Sequence, residues 1–348
     1  MKREDVLKDK IDPIDVEEAR QIGELLEGFR NTSFQSRNLA ECMDVYKLML
    51  DVPEAAIFLG LSGAMVPAGM KKVICSMVRN RLVDVVVSTG ANLYHDYFEA
   101  LGHHHYKAHP HMDDTFLDTV DIDRVYDTVL DDRVATQIDR KVGELVAEMP
   151  AGHHSTREFF ATLGESIDLH HSIIRACYEE GVPLYCPTFH DSGFGIGVTA
   201  HYRDCREQKK EGFVLDLIRD NYEVMQIGLK SKEAGVVLIG GGVPKNYIQQ
   251  IAPMQEVLGY KKYPYRYAIQ ITTDDPKWGG LSGCTFSESH SWGKYTSDAR
   301  TAVAYVDATI GLPLLVGAVL QTGKEIIGRR KRRRFTWNED ELTDLSFS

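Results

Sequence analysis

The feature that most constrains this chain is a series of short apolar runs, each ending abruptly in Gly, Ser, Thr or Asp. Ala55–Leu61 runs into a turn with Gly63, and Val83–Val87 into Ser88-Thr89-Gly90. Pro183–Pro187 leads to His190-Asp191-Ser192-Gly193, and Gly235–Ile239 to Gly240-Gly241-Gly242. Tyr267–Ile271 leads to Thr272-Thr273-Asp274, and Val303–Val306 to Asp307-Ala308. Runs this short without polar alternation read as strands buried on both faces, which requires a parallel sheet wrapped by helices. Ligands of such sheets bind outside the carboxyl ends of the strands, where these small and polar residues gather. The expected fold class is α/β: a doubly wound, mostly parallel, Rossmann-like sheet.

The N-terminal part reads as a helical extension over 1–50. Asp12 and Pro13 start a helical pattern to Arg30, and a second runs from Asn38 to Leu50. The catalytic α/β domain is expected over 51–322. Within it, 103–152 is rich in His, Asp and Glu and lacks a strand pattern, so it reads as an insertion of loops and helices. Residues 323–348 read as a charged tail. Its Arg329–Arg334 run suits a solvated terminus first, and a phosphate- or partner-binding segment second.

With 51 Asp+Glu against 40 Lys+Arg, the net charge of −11 excludes a general nucleic-acid coat. Six cysteines without a C-x-x-C pair read as free thiols of a reducing compartment. The charged N-terminus has no signal-peptide core. The apolar stretch 302–320 is broken by Asp307, Gly311 and Pro313, so no membrane span is expected and the location is cytoplasmic.

Three constellations could carry chemistry. Gly240-Gly241-Gly242 permits close backbone approach to a phosphate or nicotinamide, although the spacing lacks the dinucleotide fingerprint. His103, His104, His105, His109 and His111 lie beside Asp113 and Asp114. His105 and His109 have a metal-binding spacing, but Pro110 breaks the helix this would need, so no metal is expected. In Glu288-Ser289-His290-Ser291-Trp292-Gly293-Lys294, a lysine follows an aromatic wall. Desolvation there favours the neutral amine, which can attack a carbonyl or imine carbon, while Glu288 can pair with a cationic substrate. A surface loop lysine is the alternative.

The Ser291–Lys294 motif, with Glu288 before it and Tyr305–Ala308 after it, resembles the deoxyhypusine synthase family. The resemblance continues through Phe34-Gln35, Phe58-Leu59-Gly60, Val83–Val85 with Ser88-Thr89, Asp191, and Gly240–Val243 with Lys245. It implies an NAD-dependent transfer of a 4-aminobutyl group from spermidine through an imine on Lys294. The acceptor is a lysine of a translation initiation factor or, in related homospermidine synthases, putrescine. It also implies a homotetramer with sites shared between subunits. NAD contacts carry over to Gly63, Ala64, Thr89, Gly90, Asp191, Thr273, Asp307 and Ala308. The amine wall carries over to His95, Asn246, Gly280, Glu288 and Trp292.

Several carboxylates of the family's amine pocket are missing. Tyr94-His95 replaces an acidic pair, Ile196 and Leu281 each replace an aspartate, and Asn246 replaces a histidine. Asp96 or Glu99 are candidates to restore the charge. The reading is therefore transfer to a small amine such as putrescine. Modification of a protein lysine and an inactive NAD- and polyamine-binding homologue are the alternatives.

Overall fold

The computed structural model describes Arg3, Leu7 and residues 9–348. The remaining residues of the expected extension lie outside this set. The core is one six-stranded sheet of β1 (Ala55–Leu61), β2 (Val85–Ser88), β3 (Leu184–Tyr185), β4 (Glu233–Ile239), β5 (Tyr265–Thr272) and β6 (Tyr295–Tyr305). Every pairing in it is parallel, in the order β3-β2-β1-β4-β5-β6. The chain thus winds outward from β1 to one edge, returns to β4 and winds to the other. The reversal opens a crevice between the carboxyl ends of β1 and β4.

Two apolar layers cover the sheet. Ile57, Leu59, Val86, Ile269 and Ala304 point into one, beneath the helices Phe34–Asp51, Gly90–Ala100 and Ala308–Thr322. Ala56, Phe58, Val85, Val236 and Ala268 point into the other, beneath Leu217–Ser231, Gly242–Gln249 and Phe286–Ser291. Alternation within β1 therefore separates two cores, and this is why the strand reads as uniformly apolar. No helix of the described residues is long and apolar enough to cross a membrane.

Three expectations are corrected. The first helix spans only Ile22–Phe29, because the Glu24 carboxylate accepts the Arg20 and Gln21 backbone N–H groups and caps it there. Upstream, Asp12 instead donates its N–H to the Asn31 carbonyl. The 103–152 insertion contains strands after all: Tyr106–Lys107, Ile122–Val125 and Thr128–Asp131 form a small antiparallel sheet. Their side chains are mostly half-buried or exposed, so they carry no apolar signature.

The basic run is not a solvated tail. Residues 333–338 and 341–347 form an antiparallel hairpin docked on the helix Leu217–Ser231, with Leu342 N–H donating to Gln226. Arg330, Arg332 and Arg333 are buried under the amino end of the sheet. Arg330 donates to Asp84, to Arg81 O (2.9 Å) and to Ala55 O (3.2 Å). Arg332 donates to Val78 O (2.6 Å) and thereby caps the helix Lys71–Arg79. The run becomes structural because strand starts and a helix end supply acceptors that only a long cationic donor reaches.

Candidate active site

The carboxyl ends of the strands bring together most of the residues expected to hold a dinucleotide. Gly63 follows β1 with φ +79°, a left-handed conformation that suits glycine, and it is exposed beside Ala64. Met65 N–H donates to Asn92 Oδ1 (2.8 Å), and Asn92 donates to Thr89 Oγ1 (3.1 Å), which ties this turn to the next helix. Thr89 occupies the N-cap position of the helix Gly90–Ala100 without a side-chain capping bond. A Cβ on Gly90 would lie 2.8 Å from the Thr188 carbonyl, so the turn after β3 packs directly on that cap. Asp191 and Thr273 are exposed. Asp307 caps the helix Ala308–Thr322: its Oδ1 accepts from Thr309 N–H (2.8 Å), and its Oδ2 has no partner among the described residues.

The triple glycine plays a different part from the one expected. Gly240 and Gly242 have positive φ, but the space beside Gly241 is filled from within. A Cβ there would sit 2.4 Å from Ser282 Cα, and Ser282 Oγ accepts the Gly242 N–H (3.0 Å). The glycines admit the protein's own loop 273–285.

That loop leads to Lys294, which precedes β6 and is only 8 % exposed. Its Nζ donates to Asn246 Oδ1 (3.1 Å) and lies 6.0 Å from the Trp292 ring centre. Burial pulls the amine below the ordinary lysine range, while Cys284 and Glu288 oppose the shift. The aromatic wall is one-sided, since Trp292 is 68 % exposed, and Glu288 lies exposed on the helix Phe286–Ser291. Gly280 is likewise exposed. Around Asn246 opens an apolar groove of about 650 Å³ that includes Ile218, Val243, Met254 and Leu281.

A second lysine adjoins the first. Lys245, 1 % exposed, donates to Cys284 O (2.6 Å) and Gln270 Oε1 (2.9 Å). Burial, with Lys294 as a neighbouring like charge, brings it down to about 8. Sequence reasoning placed Lys245 in a motif but missed that it lies close enough to Lys294 for the two like charges to interact. The usable signal was Gln270, a lone polar residue within the apolar run Tyr267–Ile271.

The remaining amine-wall positions lie elsewhere. Tyr94 is buried, with its hydroxyl bonded to Asp139 (2.5 Å) and Ala135 O (2.9 Å). His95 pairs with His105, at the start of the insertion. Neither carboxylate proposed as a substitute is free. Asp96 is buried and accepts the Ile173 and Ile174 N–H groups and the Ser172 hydroxyl. Glu99 is held by Lys71 and His105. The helix Gly90–Ala100 packs in one apolar layer, whereas Asn246 and Lys294 stand over the other. Strands β2 and β6 are four spacings apart, about 19 Å at roughly 4.8 Å each. One chain therefore does not bring His95 to Lys294.

The sequence model described as "Deoxyhypusine synthase" matches residues 24–319. The chain belongs to the deoxyhypusine synthase family. It is 40 % identical over 340 residues to "Probable deoxyhypusine synthase 2" of Methanosarcina mazei, covering 97 % of this chain and 96 % of that one. It is 38 % identical over 299 residues to the "Deoxyhypusine synthase-like protein" of Chlorobaculum tepidum, covering 84 % of each. The fold is similar to the crystal structure of a deoxyhypusine synthase candidate from Entamoeba histolytica, with a TM-score of 0.59 at 17 % identity. That alignment covers 89 % of this chain and 97 % of the other. Within this family, the chain gathers its expected nucleophile, Asn246, Trp292 and Glu288 on one face of the sheet. It keeps Tyr94 and His95 on the other.

Proposed function

We propose that this protein is a deoxyhypusine synthase-like transferase that moves a 4-aminobutyl group from spermidine, through an imine on Lys294, to a small amine such as putrescine. The observation that carries the reading is the state of Lys294: nearly buried, held by one neutral acceptor and depressed in basicity. A buried lysine without a carboxylate partner is costly for stability and useful as a nucleophile. Its neutral nitrogen attacks an imine carbon, the C–N bond to the departing diamine breaks, and a second amine later displaces the lysine. Asn246 orients the nitrogen by its carbonyl oxygen.

The crevice residues fit NAD. Gly63 leaves backbone open, and Asp191 and Asp307 expose carboxylate oxygens suited to ribose hydroxyls. With Ala64, Thr89, Gly90, Thr273 and Ala308 they form the holding set. NAD bound there would supply the hydride acceptor and donor of the reaction. Because His95 and Lys294 occupy opposite faces, a site using both takes them from two copies. This supports a homo-oligomer with shared sites, and the apolar groove beside Asn246 is the face a second copy would cover.

The small-amine acceptor is favoured by Ile196 and Leu281, both exposed where a long amine would need carboxylates. The test is borohydride trapping with labelled spermidine and NAD, followed by competition between putrescine and a purified initiation factor. A labelled adduct on Lys294, absent in Lys294→Arg, and label passing to putrescine are expected. The arginine variant stays charged and cannot form the imine. Transfer by Lys294→Arg would overturn the nucleophile, and label passing mainly to the protein would overturn the acceptor.

A further inference from the structure

The place of Lys294 is set by a helix end. The helix Phe286–Ser291 closes at Gly293, whose φ of +67° turns the chain, and Gly293 N–H donates to His290 O (2.8 Å). Lys294 N–H donates to Ser289 O (3.3 Å). This pair of bonds is a Schellman closure, and it makes Lys294 the second residue beyond the cap. Its side chain then crosses to Asn246 on a different helix, Gly242–Gln249. One bond between two flexible side chains does not hold two elements in register, so the register has another source.

Two buried tyrosines supply it. Tyr265 and Tyr295 open β5 and β6 as register partners. Tyr265 N–H donates to Lys294 O (3.0 Å), and its hydroxyl donates to Ile248 O (2.9 Å), two residues beyond Asn246. Tyr295 follows Lys294 directly, and its hydroxyl accepts from Gln249 Nε2 (2.7 Å). The Tyr295 ring stands edge-on to Phe286 at 5.2 Å, at the start of the helix that carries Glu288. The Tyr265 ring stands edge-on to Phe58 of β1 at 6.0 Å. The two tyrosines are 2 % and 3 % exposed, so neither meets a ligand. Phenylalanine would fill the same apolar space, and what the hydroxyls add is a bond from each strand start to the helix of Asn246.

We propose that Tyr265 and Tyr295 are positioning residues for the nucleophile: their hydroxyl bonds to Ile248 and Gln249 set the reach from Lys294 to Asn246. The proposal rests on the transferase reading above. An attacking amine must approach its carbon to about 3–3.5 Å along a set line, and a misplacement of about 1 Å costs up to about a hundredfold in rate. Asn246 holds only the tip of a flexible four-carbon stem, whereas the tyrosines hold the backbone from which that stem starts. Because both rings are buried, loosening them slows the step on Lys294 and leaves the binding of spermidine and NAD unaltered.

The experiment follows, in a single turnover, the borohydride-trapped adduct that labelled spermidine forms on the full chain with saturating NAD. Tyr265→Phe and Tyr295→Phe keep the rings and remove one hydroxyl bond each. In each variant the limiting rate is expected to fall about tenfold, while the half-saturating spermidine concentration and the NAD affinity stay within about twofold. Tyr46→Phe is the control. Tyr46 is fully buried in the other apolar layer and its hydroxyl donates to Leu82 O (3.0 Å), so it loses the same kind of bond away from Lys294. Its limiting rate should match that of the wild type. An equal fall in Tyr46→Phe marks a general loss of rigidity and overturns the proposal. A limiting rate within about twofold of the wild type in Tyr265→Phe or Tyr295→Phe, or a parallel loss of NAD affinity, also overturns it and leaves the transferase reading standing. A wild type that forms no adduct removes that reading, and this inference with it.

Discussion

The two ends of the central sheet treat charge in opposite ways. At the amino end, Asp84 is 1 % exposed and accepts from Arg330 and from Ile57 N–H (2.8 Å), with Arg333 3.6 Å away. At the carboxyl end, Asp191 and Asp307 stand exposed, and Asp307 keeps an oxygen unused. A carboxylate enclosed by arginines is closed to a ligand although its Oδ1 has no partner, and its removal strands the cations. An exposed carboxylate with a free oxygen contributes little to the fold and can bind. Burial, and not spare hydrogen-bonding capacity, separates the structural end of this sheet from the end proposed to bind.

The sharpest way to break the contrast is Asp84→Asn. It leaves Arg330 and Arg333 buried opposite a neutral group, so the expected loss of stability is about 3–5 kcal/mol. Denaturant midpoints at constant slope measure it, and spermidine turnover by the folded fraction should be unchanged. A loss below about 1 kcal/mol would show that water reaches this end and that the enclosure is only apparent.

The sequence disclosed these two ends unequally. Ala55–Leu61 was legible with the bounds it has in the structure, because strands buried on both faces have few other readings. The positions of Thr89, Thr273 and Asp307 at strand ends were legible for a related reason: each follows an apolar run. Arg330, Arg332 and Arg333 misled, because consecutive basic residues normally stay in water. Their acceptors are Asp84 and the carbonyls of Ala55, Val78 and Arg81, some 250 positions upstream. The same limit hid the proximity of Lys245 to Lys294, and the separation of His95 from Lys294 by the sheet. Each depends on which face an element covers, and local spacing does not encode that.

Lys245 is the intermediate case, buried like Asp84 but held only by neutral acceptors. Its pKa falls from the ordinary 10.5 to about 8 in the folded chain. Between those values the unfolded chain binds more protons, so stability rises as pH increases from about 8 to 10.5. The full span corresponds to about 3 kcal/mol at most. Lys294 shifts in the same direction, so the comparison must be with Lys245→Met, which removes one titration and keeps the other. Wild type should gain on the variant across that window. A constant difference would mean that Lys245 is charged in the folded chain at an ordinary pKa, and that Gln270 and the Cys284 carbonyl solvate it well.

The smallest effect tests the other end. Asp307→Asn keeps a side-chain oxygen for Thr309 N–H, so the cap on the helix Ala308–Thr322 survives and stability should change by less than about 0.5 kcal/mol. What disappears is the charge on the oxygen that has no partner. If that oxygen takes a ribose hydroxyl, NAD affinity should fall about tenfold, or about 1.4 kcal/mol, as read by calorimetry. The amide could also turn its nitrogen toward the nucleotide, and Asp307→Ser separates the cases by capping without an amide. Equal weakening in both variants identifies the charge as the cause. Unchanged NAD affinity in both would place the dinucleotide away from β6, and the free oxygen of Asp307 would then be exposed without function, against the rule drawn from Asp84.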